Sequence, residues 1–180
     1  GLLDRGLDAA ALELVISDEH AGIIAAGGEK LGDVRRQYCW AHRCRNVLDA
    51  AIKTDHKELV RSLRAVYQAE HEAAARAAMK EMERQWAERY PSVVAELKRD
   101  AGNLLAFYHA PELHREYVRT SNPIERPFLE LRRSTFGCGA FANRESCDRV
   151  CGHTFIRLNE MGKDVDLFQD RSRRNERRQE

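Results

Sequence analysis

The chain has no apolar run long enough to cross a bilayer as a helix and no signal-peptide pattern at its start. It has no glycine-rich phosphate loop, no Gly-x-Ser-x-Gly elbow, no His-Glu-x-x-His pair and no dinucleotide fingerprint. P-loop, serine-hydrolase, zincin and Rossmann chemistry are therefore without support. Proline is scarce, at 4 in 180 residues, and aromatics make up 7%. A net charge of +1, with 33% charged residues, gives no global attraction to polyanions. Affinity for nucleic acid would have to come from local clusters of arginine and lysine. The five cysteines are an odd number without a secretion signal, which favours reduced thiols in a cytoplasmic protein over a disulfide framework. There is also no initiating Met: Gly1-Leu2-Leu3 reads as the end of a helix, so the sequence is expected to be a fragment.

What is present is an α/β start followed by a long helical stretch. Leu12–Ser17 is short, aliphatic and β-branched, as a buried strand would be. Ala21–Ala26 reads as a short helix stopped by Gly27-Gly28, and Val34–Tyr38 as a second strand. From Val47 to about His109 the apolar residues keep helical spacing: Leu48, Ile52, Leu59, Leu63 and Val66 first, then Ala74, Ala78, Met82 and Trp86. These are packing residues. Pro91 restarts the chain, with a bend or break near Gly102. A short helix follows Pro111, and Gly137-Cys138-Gly139 ends the next one. Asn143 caps a last helix that carries Cys147 and Cys151. The run after about 160 is mixed and basic, and is expected to be a disordered tail.

Two acids stand out by position. Asp18 closes the first strand, where α/β proteins place ligand groups, although aspartate there also suits a helix cap. Glu125 follows Asn122-Pro123, a helix-start signal, and falls in the first turn. Arg132 lies about two turns further along the same face, beside Arg126 and Arg133. A carboxylate above guanidinium groups suits metal-assisted phosphoryl transfer, the acid holding a cation and the arginines holding phosphates. The same residues fit a capping box on a solvated helix face. Cys39-x-x-His42 has the spacing of half a zinc site, but Cys147, Cys151 and His153 make a poor second half.

Taken in order, several stretches resemble the catalytic region of bacterial Mutator-type insertion-sequence transposases, of the Asp-Asp-Glu superfamily. They are Arg5-Gly6-Leu7, Leu14 to Gly22, Gln37 to Arg43 with Arg45 to Leu48, Arg119 to Phe128 with Arg132-Arg133, and Gly139 to Cys147. Together they cover residues 1 to 160. The resemblance implies an α/β, predominantly helical fold: a partial ribonuclease-H-like core interrupted by an all-helical insertion. Residues 1–46 and 111–160 would form the core, 47–110 the insertion and 161–180 the tail. It implies Asp18 and Glu125 as catalytic acids and ligands of Mg²⁺ or Mn²⁺. Arg126, Arg132 and Arg133 would contact DNA, and Cys39 and His42 would be a signature near the active site. The implied partners are transposon ends and target DNA, with a homo-oligomer in the intact enzyme and no membrane. The family's first catalytic Asp lies upstream of anything matching Arg5-Gly6-Leu7, and Asp4 and Asp8 stand in the wrong context to replace it. The family's N-terminal DNA-binding region has no match, nor does the stretch from Met161. The reading is a DNA transposase fragment; the alternatives are an inactive relic or DNA-binding helical module, and a zinc-stabilised interaction domain.

Overall fold

The computed structural model describes residues 3–164, with side chains to residue 160, so the run after Asp164 lies outside the described residues. The chain divides into two compact units, Gly1–Asn122 and Pro123–Glu180.

The first unit opens with the short 3₁₀ turns Leu3–Arg5 and Ala9–Ala11. Strand β1 (Leu14–Ser17) pairs in parallel with β2 (Arg35–Tyr38), Leu14 opposite Arg35 and Ser17 opposite Tyr38. The strand begins two residues later than expected because Leu12 closes the preceding turn through its N–H to the Ala9 carbonyl. Helix α1 (Ala21–Leu31) makes the crossover that parallel strands require. It does not stop at Gly27-Gly28 but runs through both and ends at Gly32, whose φ of 59° suits glycine. The two internal glycines have a packing reason. The Arg36 guanidinium reaches over them to the Ile24 carbonyl at 3.0 Å, and a Cβ at Gly28 would meet Arg36 Nη2 at 3.2 Å.

The helical stretch begins with α2 at Trp40–Asp49. It continues through α3 (His56–Tyr67), α4 (Glu72–Trp86), α5 (Pro91–Arg99) and the single turn α6 (Ala101–Leu104). The break falls at Asp100, beside the expected one at Gly102. Ile52 is not on a helical stripe: it precedes a 3₁₀ turn between α2 and α3 and is 53% exposed. Leu59, Leu63, Val66, Met82 and Phe107 form the centre of the core. Two buried polar groups tie β2 and α2 to this block. Gln37 donates to the Leu104 carbonyl at 3.0 Å and accepts the Phe107 N–H at 2.7 Å, and the Trp40 indole donates to the same Leu104 carbonyl at 2.7 Å. Helix α7 (Glu112–Val118) then leads back to α2, where the Trp40 N–H bonds the Arg119 carbonyl at 3.0 Å.

Helix α8 (Asn122–Thr135) starts one residue sooner than the Asn-Pro signal suggests, and Thr120 Oγ1 accepts the Asn122 N–H at 3.2 Å. The second unit holds the rest of α8 and α9 (Arg144–Asp164). Asn143 caps α9 as expected, accepting the Ser146 N–H at 2.8 Å. Phe128 and Phe155 meet edge to face with ring centres 5.9 Å apart. All five cysteines are free thiols, and among the described residues no helix is long and apolar enough to cross a membrane.

Candidate active site

Asp18 and Glu19 leave the end of β1 side by side and go to different uses. Glu19 grips Arg43 with both carboxylate oxygens, at 2.9 Å from Nε and 2.7 Å from Nη2. The Arg43 side chain is only 1% exposed and also meets Asp100, and Glu96 at 3.3 Å, so one guanidinium is shared by three acids. Burial pushes the Glu19 pKa above its ordinary value, and Arg43 only partly offsets this. Burial acts in the same direction on Asp100, but hydrogen bonds from Arg99 and Arg43 outweigh it and hold that carboxyl below the usual range. The cluster joins the β1 end, α2 and the α5–α6 corner, elements far apart in sequence.

Asp18 takes no part in it. Its Oδ1 accepts the His20 N–H at 3.2 Å, and among the described residues no cation is paired with it. The helix cap belongs to His20, whose Nδ1 accepts the Gly22 N–H at 3.2 Å, so Asp18 is free of the capping role the sequence also allowed. Half-buried, it lines an open polar cleft with His20, His42, Asn46 and Arg99. His42 lies in the first turn of α2, as the Cys-x-x-His spacing requires once Cys39 is the N-cap.

Cys39 is fully buried, at 0% exposure, and its sulfur does not cap its own helix. It faces the segment before α8. The Ser121 N–H donates to Sγ at 3.2 Å and the Ser121 hydroxyl at 3.1 Å, with Thr120 Oγ1 at 3.5 Å. Ser121 Oγ also lies 3.5 Å from His42 Nδ1. Burial alone would raise the thiol pKa, but the bonds from Ser121 and Thr120 prevail and bring it to about 7. Its neighbour Cys44 goes the other way, pushed up to about 11 by burial and by the charge of Cys39.

In the second unit Glu125 occupies the first turn of α8 and is exposed, as are Arg126, Arg132 and Arg133. Arg133 is paired with Glu130 at 2.6 Å. Pro127 stands inside the helix, where it withholds one N–H from the ladder. The first unit thus brings Asp18 and His42 to one cleft, with Cys39 at the α2 cap, while Glu125 and the arginines belong to the second. Sequence reasoning missed Arg43 and its three acids. The only signal available was a charged residue in phase with Trp40 and Val47, on the apolar face of α2.

The sequence profile described as "Transposase, Mutator family" matches residues 1–162. The chain is 33% identical over 149 residues to the transposase for insertion sequence element ISRM5 of Rhizobium meliloti, covering 83% of this chain and 37% of that protein. It is 35% identical over 131 residues to the transposase for IST2 of Acidithiobacillus ferrooxidans, covering 73% of this chain and 44% of that one. The transposase for IS6120 of Mycolicibacterium smegmatis is 35% identical over 131 residues, with 73% and 40% covered. The chain therefore spans less than half the length of these relatives. The match of the family profile along nearly the whole sequence, together with these identities, shows that the chain belongs to the Mutator family of transposases.

Proposed function

We propose that this chain is part of the catalytic region of an insertion-sequence transposase, which cleaves DNA and transfers the cut strand in the bacterial cytoplasm. The observation that carries this reading is the contrast between Asp18 and Glu19. Of two adjacent acids at a strand end, one is consumed by a buried arginine and the other faces an open cleft, unpaired with any Lys or Arg among the described residues. Carboxylate oxygens suit Mg²⁺ or Mn²⁺, and the His20 N–H fixes one oxygen of Asp18 without neutralising it. On this reading Asp18 and Glu125 hold the metal, as the resemblance implies. The bound ion would supply a more acidic water or 3′-hydroxyl and offset charge on the leaving oxygen. Arg126, Arg132 and Arg133 would neutralise DNA phosphates, and Arg132, about two turns after Glu125, returns to the same helix face. The α/β segment would be part of a ribonuclease-H-like core, with residues 47–110 as its insertion.

The test uses the complete protein that carries this segment, with DNA bearing the element's ends. Asp18→Asn and Glu125→Gln should each lower Mg²⁺-dependent cleavage by at least about a thousandfold while DNA binding is kept, as loss of a metal ligand implies. Cleavage at the parental rate in either variant would overturn the assignment. A parental protein that binds DNA and cleaves in neither Mg²⁺ nor Mn²⁺ would instead be a non-catalytic DNA-binding module.

A further inference from the structure

The Cys-x-x-His signature has no role in the reading above, yet both of its residues meet the segment before α8. We propose that Cys39 is a positioning residue, whose sulfur serves as the shared acceptor that fixes Thr120 and Ser121, the last turn of chain before α8. The inference rests on the reading of Glu125 as a metal-holding acid, since Glu125 comes four residues after Ser121.

The geometry carries the argument. A buried thiol is ordinarily a small apolar filler with weak hydrogen bonding. This one instead has a backbone N–H and a hydroxyl from Ser121 aimed at it, with the Thr120 hydroxyl close by. Removing the sulfur takes away the acceptor that the Ser121 N–H meets at 3.2 Å, and a backbone donor that loses its acceptor costs stability. The same short segment is held on both sides. The Arg119 carbonyl accepts the Trp40 N–H, and Thr120 Oγ1 accepts the Asn122 N–H at the first residue of α8. Cys39 in turn hangs from the end of β1, its N–H bonding the Ser17 carbonyl at 2.9 Å, one residue before Asp18. The sulfur therefore sits on a path of hydrogen bonds between the residue preceding Asp18 and the residues preceding Glu125's helix.

The arrangement also reaches His42, whose Nδ1 lies 3.5 Å from the same Ser121 hydroxyl that meets the sulfur. The thiol pKa of about 7 is the expected result of donors converging on sulfur and favouring its anionic form.

The experiment pairs two readouts. In the 180-residue chain, amide hydrogen exchange at Ser121 should be about tenfold faster in Cys39→Ala than in the parent, the loss of one hydrogen bond. Cys39→Asp, which supplies an anionic acceptor, should restore protection. In the complete protein, Cys39→Ala should slow Mg²⁺-dependent cleavage by about a hundredfold, a displacement of about 1 Å being enough for that, and Cys39→Asp should recover most of it. Ser121→Ala removes one donor, leaves the core sulfur in place and should slow cleavage less, so it decides the matter if Cys39→Asp does not fold. Unchanged exchange at Ser121 in Cys39→Ala overturns the proposal. So does faster exchange with cleavage at the parental rate, because the sulfur would then be holding a turn of no consequence. A parental protein without cleavage would sink the functional reading alone, and the exchange measurement would still decide whether the tether exists.

Discussion

Leu59, Leu63 and Phe107 in the first unit are at most 2% exposed, whereas Ile124, Phe128 and Phe136 in the second are 61%, 53% and 90% exposed. Both units are largely helical and amphipathic, so the difference is one of layers rather than composition. The first unit stacks α3 and α4 against α5 and the α2 face, enough to close a core around Leu63. Among its described residues the second has α9 and most of α8, and where they meet edge to face at Phe128 and Phe155, Phe128 is still 53% exposed. Stability and side-chain precision should therefore reside in the first unit, and the second should tolerate change in its apolar residues.

Four measurements would sharpen or break that contrast, all on the 180-residue chain by denaturant unfolding. The largest effect is expected for Arg43→Met, which strands Glu19 and Asp100 as buried acids with one cation fewer. The loss should be about 3–5 kcal/mol, the cost of breaking a buried pair on one side. Leu63→Ala should lose about 2–5 kcal/mol by opening a cavity in the first unit. A midpoint unchanged by either variant would mean that the first unit is not where stability lies.

The pH dependence should show two opposite trends. The Glu19 carboxyl lies above its ordinary 4.5 in the folded chain, so the folded state holds more protons there. Stability from this group grows as pH falls toward 4.5. The Asp100 carboxyl lies below 3.8, so its contribution is complete above that value and is lost as pH falls below it. The denaturant midpoint should rise as pH falls toward 4.5 and drop below about 3.8, and Asp100→Asn should remove part of the drop. The smallest effect belongs to Phe136→Ala in the second unit, expected within about 0.5 kcal/mol because the ring is almost wholly exposed. A loss of 2 kcal/mol or more would show that the exposure of Phe136 is misleading and the contrast false.

The sequence made some of this legible. Both strands, the Pro91 restart, the Asn143 cap and the place of Glu125 in a first helical turn follow from local chemistry acting over a few residues. Glycine pairs usually end helices, and what carries α1 through Gly27-Gly28, an arginine laid across them from β2, is a tertiary contact with no local trace. Ile52 fits a helical period yet sits in a turn, since period alone cannot tell a helix from its interruption. At the site, Asp18 could be picked out by its strand-end position, but nothing local distinguished it from Glu19. The two carboxylates are separated by which one meets Arg43, and Arg43 in turn depends on Glu96 and Asp100, more than fifty positions away. The same holds for Cys39, whose partners at 120 and 121 lie about eighty residues on.

The shared guanidinium also bears on how such a chain can change over generations. If residues 47–110 are an insertion in a core, as proposed above, they invite description as a cassette, to be trimmed, swapped or lost. Here removal of residues 47–110 would take Glu96, Asp100 and the Leu104 carbonyl with it. Arg43 would be left in the core with a single acid, and Gln37 and the Trp40 indole would each lose an acceptor. Residues 47–110 can drift only where those few groups are kept, and any shorter version must rebuild them first.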